Sequence, residues 1–245
     1  FTFLKDYVVP CHILKITEDA KGQIWIAETD GVYSFNESWK KSKYNHVPLS
    51  ENKINCIDFE FLHDIAVDNY NRLWVTTSMG LHVYQIIEKK WQRYFHKADK
   101  EQNLFLNTIE IDEDENIWIS SQNGLLYNNQ FMENFIYMKH IPTSNKGLSS
   151  DFVKAIYEDK QNQLWVGTDN GLTIINRDEK IYKHYRADNP AHNTISSNII
   201  TSIMRDAKNR IWLSTLTSGI DIYDPSTGVF SRSSINPTYC ITALY

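Results

Sequence analysis

EDKQNQLWVGTDNGL, residues 158–172, occurs in this chain five times with small changes. The other copies are EDAKGQIWIAETDGV (18–32), VDNYNRLWVTTSMGL (67–81), IDEDENIWISSQNGL (111–125) and RDAKNRIWLSTLTSGI (205–220), the last with one residue inserted. Each copy centres on a tryptophan: Trp25, Trp74, Trp118, Trp165 and Trp212, spaced 49, 44, 47 and 47 residues apart. An aspartate stands six positions earlier every time: Asp19, Asp68, Asp112, Asp159 and Asp206. A glycine follows six positions later at Gly31, Gly80, Gly124 and Gly171, and seven later at Gly219.

The neighbours of each tryptophan are aliphatic, and the residue two positions on is small: Ala27, Thr76, Ser120, Gly167 or Ser214. Side chains alternate faces along a strand. Tryptophan and small residue therefore share one face, and the aliphatics share the other. Both faces are apolar, which predicts a strand buried between two sheets. One repeat reads as four strands: VKAIYE, LWVGT, LTIIN and KIYKHY at 153–158, 164–168, 172–176 and 180–185. The aspartate suits a turn in which its side chain bonds nearby backbone, and the glycine suits a position needing positive φ.

Four short antiparallel strands at a period in the mid-forties predict an all-β chain of β-propeller blades. One such blade cannot cover its own apolar faces, so it needs neighbours. Five complete repeats are expected at about 10–48, 49–96, 97–140, 141–187 and 188–235. Partial strands at 1–9 and 238–245 suggest a segment of a longer array, as in a seven-bladed propeller.

Composition narrows the function. The chain has 245 residues and a formal charge of −5. Without a block of like charge it has no footprint for nucleic acid. Cys11, Cys56 and Cys240 are too scattered for a disulfide framework or zinc site. Sequence motifs for nucleophilic, metal-dependent, phosphate-binding or dinucleotide chemistry are missing, and the histidines fall at unequal repeat positions. No catalytic residue, metal or cofactor is expected. The five aspartates invite a calcium reading, but calcium needs 6–8 oxygens at one point, and these lie on separate blades. The five tryptophans could stack on sugars, yet their mid-strand position predicts core.

A binding site is expected where the repeats differ. The turns between second and third strands vary, as do the links to the next repeat, such as KHIPTSNKG (139–147) and RADNPAHN (186–193). In a four-stranded blade both sets emerge on one face. Asp30, Gln122, Asn123, Asp169, Asn170, His140, Arg186 and His192 are its candidate ligand-binding groups, with amides and carboxylates able to pair with sugar hydroxyls.

The pattern I-x-x-D-x-x-x-x-[IL]-W-[IVL]-x-[ST]-x-x-G-[LV] resembles the two-component regulator propeller repeat over about 200 of the 245 residues. The family's usual first-turn glycine is kept as Gly22. It is replaced by Asn71, Glu115, Asn162 and Asn209. The resemblance implies the periplasmic sensor region of a bacterial hybrid two-component system. Such a parent has tandem propellers, an Ig-like domain, a membrane helix and a histidine kinase, commonly as a homodimer. It implies recognition of an oligosaccharide and control of transcription. The alternatives are a scaffold propeller that binds protein, and a propeller lyase or hydrolase.

Overall fold

The computed structural model describes residues 13–28, 31–35, 45–47, 61–78, 80–96, 105–129, 135–189 and 193–233. Asp30, His192 and the three cysteines lie outside the described residues. Five four-stranded antiparallel sheets follow one another, each with strands in sequence order. Among the described residues there is no helix. The chain is all-β and built from propeller blades.

The chain divides into two compact units, residues 1–106 and 107–245. The first unit holds two blades. Blade 1 is β1 (Ile13–Glu18), β2 (Ile24–Glu28), β3 (Gly31–Phe35) and β4 (Asn45–Val47). Blade 2 is β5 (Leu62–Val67), β6 (Arg72–Thr77), β7 (Gly80–Gln85) and β8 (Lys90–His96). The second unit holds three. Blade 3 is β9 (Leu106–Ile111), which opens at the boundary, β10 (Ile117–Ser121), β11 (Gly124–Asn128) and β12 (Ile136–Met138). Blade 4 is β13 (Val153–Glu158), β14 (Gln163–Thr168), β15 (Gly171–Asn176) and β16 (Ile181–Tyr185). Blade 5 is β17 (Ile200–Arg205), β18 (Ile211–Thr215), β19 (Gly219–Asp224) and β20 (Val229–Arg232).

The two apolar faces of each second strand meet opposite partners. In the second unit, Trp118 and Leu125 pack with Val153, Ile156, Leu164 and Val166. Trp165 packs with Ile200, Ile203, Ile211 and Leu213. The first unit repeats the arrangement, with Trp25 and Ala27 against Ile65, Leu73 and Val75. Trp25, Trp118 and Trp165 thus each lie on the aliphatic pair that flanks the next tryptophan. The small residue beside each allows this approach. A Cβ added at Gly167 would lie 2.6 Å from Ile200 Cγ2.

Burial shows which blades are covered. Trp25, Trp74, Trp118 and Trp165 are buried. Trp212 is only half-buried, because no described strand follows blade 5 on the side that Trp25, Trp118 and Trp165 use. On β1, Ile16 is 55% exposed, whereas the equivalent Ile65, Ile109, Ile156 and Ile203 are buried. The side on which Ile65, Ile156 and Ile203 pack against a preceding blade has no described strand against it in blade 1.

The aspartates bind more than their turns. In each blade Asp Oδ1 accepts the backbone N–H groups two and four residues on, as from Gln161 (2.9 Å) and Gln163 (3.0 Å) to Asp159. Oδ2 accepts the indole N–H of the tryptophan, at 3.1, 2.8, 2.9, 2.8 and 2.9 Å for Trp25, Trp74, Trp118, Trp165 and Trp212. Burying a carboxylate is costly unless it is hydrogen-bonded, and three or more donors meet that need. The turn closes through a left-handed residue: Gly22, Asn71, Glu115, Asn162 or Asn209, with φ between 57° and 78°. Glycine, and to a lesser degree asparagine, tolerate this conformation. Glu115 adopts the same φ (63°) and closes the same bond to Asp112 O at 3.0 Å.

Candidate functional site

The variable loops emerge where β14 ends and β16 ends, on one side of the sheet. In blade 4 this side carries the Asp169–Asn170 turn, the link 139–152 and the described parts of the next link, 186–189 and 193–199. Backbone bonds lock them together. Asp169 N–H donates to Phe152 O at 3.2 Å, and Gly171 N–H to Asn198 O at 2.7 Å. The first bond recurs as Ser78 to Phe61 and as Leu216 to Ile199. Gly171 has φ +119°, and a Cβ there would sit 2.7 Å from Tyr185 O. Only glycine permits this crossing of turn and outer strand.

A hydroxyl three residues after the tryptophan supports each described turn. Thr77, Ser121, Thr168 and Thr215 donate to the carbonyl of Gly80, Gly124, Gly171 and Gly219, at 3.1, 2.7, 2.9 and 2.9 Å. Thr168 and Ser121 Oγ also accept the N–H of Asn170 and Asn123, each at 3.0 Å. The links are pinned from below. Thr173 Oγ1 accepts Ser149 N–H at 2.9 Å. In blade 5 Asp221 Oδ2 accepts Ser196 N–H at 2.7 Å and its hydroxyl at 2.9 Å. Burial pushes the Asp221 carboxyl up, against the pull of those bonds.

The candidate residues are distributed over this scaffold as follows. Gln122 and Asn123 form an exposed turn in blade 3. Asp169 is exposed, and Asn170 is half-buried beside it. Arg186 is brought to Asn170: its Nη2 donates to Asn170 Oδ1, and its Nε lies 3.5 Å from Asp188 Oδ1. His140 is exposed but tied to its own link. Its N–H donates to Asp151 Oδ1 at 2.6 Å, and its Nδ1 lies 2.7 Å from Leu148 O. Among the described residues no group of three or more His, Cys, Asp or Glu is placed to hold a metal.

One class of residue escapes the repeat pattern. The pairing of inner and second strand slips at the same place in four blades, skipping Leu14, His63, Lys154 and Thr201. Such a bulge re-aims one side chain. Lys154 Nζ lies over the Phe152 ring, 4.6 Å from its centroid. A bulge leaves no mark in a single repeat. Its signal is that these residues differ in type while the position before each is always aliphatic: Ile13, Leu62, Val153 and Ile200.

The same architecture occurs in solved structures. The extracellular domain of BT3049 from B. thetaiotaomicron, described as a hybrid two-component system, is 23% identical and aligns with 95% of this chain and 30% of its own (TM-score 0.68). That of BT4673 from the same organism, described as a one-component system, is 18% identical over 90% of this chain and 35% of its own (TM-score 0.52). The chain thus spans about a third of these extracellular domains. Virginiamycin B lyase from Staphylococcus aureus is 14% identical over 94% of this chain and 73% of its own (TM-score 0.68). At these identities the likeness is one of fold. No curated protein matches the chain significantly. Residues 147–170 and 194–217 match the family described as Two component regulator propeller. Both segments run from the pinned link through the Asp-turn-Trp hairpin. Two of the five repeats thus match the two-component regulator propeller family.

Proposed function

We propose that this chain is a ligand-sensing propeller region of a hybrid two-component sensor, outside the cytoplasm, and does not itself catalyse a reaction. The observation that carries this reading is the match of two repeats to the two-component regulator propeller family. The exposed polar face built on blades 3 and 4 supports it. There the backbone is fixed by bonds that recur from blade to blade, while Gln122, Asn123, Asp169, Asn170, His140 and Arg186 vary from blade to blade. A rigid scaffold with variable polar tips suits recognition.

The ligand in this reading is an oligosaccharide. Its hydroxyls would pair with the amide and carboxylate of Asn170 and Asp169 and with the guanidinium of Arg186. Binding would bias a homodimer of the parent chain, whose Ig-like domain and membrane helix pass the change to a histidine kinase. A ligand shifts such an equilibrium only through different affinities for the two states.

Calorimetry of the chain against a panel of glycan-derived oligosaccharides tests this. One sugar should bind, and Asn170→Ala should weaken it about tenfold, which corresponds to one hydrogen bond to a charged or polar partner. Binding only to a protein partner would establish the scaffold alternative. Turnover of a bound glycan would establish the enzyme.

A further inference from the structure

Two blades set an arginine on their Asp–Trp pair from within. Arg72 Nε lies 2.5 Å from Asp68 Oδ2, and Arg210 Nη2 lies 2.6 Å from Asp206 Oδ2. Their guanidinium carbons stand 5.0 and 5.4 Å from the rings of Trp74 and Trp212. Blade 3 has Asn116 at that position and so lacks the cation. The cation comes instead from the turn after β15 in blade 4. Arg177 stands 5.2 Å from the Trp118 ring, and its Nη1 donates to Asp112 Oδ2 at 2.8 Å. The carboxylate–arginine–indole stack that is local elsewhere spans two blades here.

The same Nη1 also donates to Glu158 Oε1, at the end of β13. One guanidinium nitrogen therefore serves two carboxylates in a poorly solvated place. The side chains of Asp112, Glu158 and Arg177 are 0%, 14% and 17% exposed. The two acids are unequally supported. Asp112 also accepts from Asp114 N–H, Asn116 N–H, both oxygens from Asn116 Nδ2, and from Trp118. Among the described residues Glu158 has Arg177 as its one donor. When a proton enters the cluster, Glu158 takes it.

We propose that Asp112, Arg177 and Glu158 form a proton-responsive clasp between blades 3 and 4, closed while Glu158 is protonated and loosened when it ionises. Asp112 and Arg177 are the charged groups that act on Glu158, and Leu164 of β14 pairs with it across the sheet. The adjacent Tyr157 interacts with Arg205, Asp159 and Glu110. Burial, then the charge of Asp112, push Glu158 up to about 7 against the pull of Arg177. The folded value lies above the unfolded one. The stabilisation is therefore complete below about 4.5 and is lost as pH rises toward about 7. This inference does not rest on the ligand reading.

Carbon-13 NMR of the side-chain carboxyls and thermal unfolding between pH 5 and 8 test it on the whole chain. The Glu158 carboxyl should titrate near 7. The Tm of the wild type should fall across this range, and in Glu158→Gln that fall should be smaller, since the amide cannot ionise. A Glu158 midpoint in the ordinary range near 4.3 would overturn the proposal. So would parallel Tm profiles of wild type and Glu158→Gln. The NMR titration uses the wild type alone, so it decides even if the variant folds poorly.

Discussion

Asp159 Oδ2 accepts the indole N–H of Trp165 at 2.8 Å, while Oδ1 of the same carboxylate closes the turn between β13 and β14. One side chain thereby joins the turn to the inter-blade core. The bond recurs in all five blades, which explains why aspartate and tryptophan keep a spacing of six. Trp165 is thereby fixed in rotation about its strand, and its ring is delivered to blade 5.

Replacing Trp165 by phenylalanine should keep most of the buried apolar area but orphan Asp159 Oδ2. Hydrogen bonds to charged groups are worth about 1.5–3 kcal/mol, and a buried acceptor left unmatched costs a comparable amount. Urea unfolding should show a loss of about 2–3 kcal/mol. In a double-mutant cycle with Asp159→Asn the two losses should be strongly non-additive. Additive losses would mean that the bond contributes nothing beyond packing.

Glu115 occupies the left-handed turn position that blade 1 gives to Gly22. A left-handed residue with a Cβ costs about 1–2 kcal/mol. Part of that returns as extra chain entropy of a glycine in the unfolded state. Glu115→Gly should stabilise the protein by about 0.5–1 kcal/mol, seen as a Tm increase. A decrease would show that the interaction Glu115 makes outweighs the strain of its left-handed backbone.

Gly167 lies against Ile200 of the following blade, so enlarging it should part blades 4 and 5. Gly167→Val should cost about 1–3 kcal/mol, the usual effect of overpacking. Hydrogen exchange should localise the loss to β14, β15 and β17. Unchanged stability would mean that the two sheets slide apart at no cost.

Much of the blade is legible in the repeat itself. Tryptophan between aliphatic neighbours, a small residue two positions on, and a turn aspartate are local signals. They follow from strand alternation and turn geometry. The left-handed role of Asn71, Asn162 and Asn209 is readable for the same reason, since asparagine replaces glycine in that conformation. The second bond of each aspartate is not readable. It depends on which way the indole is turned within its own face, which strand alternation alone does not specify. The half-buried Trp212 and exposed Ile16 likewise depend on what lies beside the sheet.

Among the candidate binding residues, the sequence places Asn170 and Arg186 on one face from strand count alone, because an even number of reversals returns the chain to the same side. That they bond to each other, while His140 is spent on Leu148 and Asp151, required the folded links.

What the sequence determined by itself was the blade: its four strands, its Asp-turn-Trp hairpin and the two faces it must bury, all set by interactions within about 45 residues. What only the tertiary structure decided was how one blade completes another. Arg177 fills the place over Trp118 that Asn116 leaves without a cation, and Glu158 then shares that cation with Asp112. The two carboxylates are 46 residues apart in the chain, and only sheet-on-sheet packing, which sequence pattern does not encode at that range, brings their charges together.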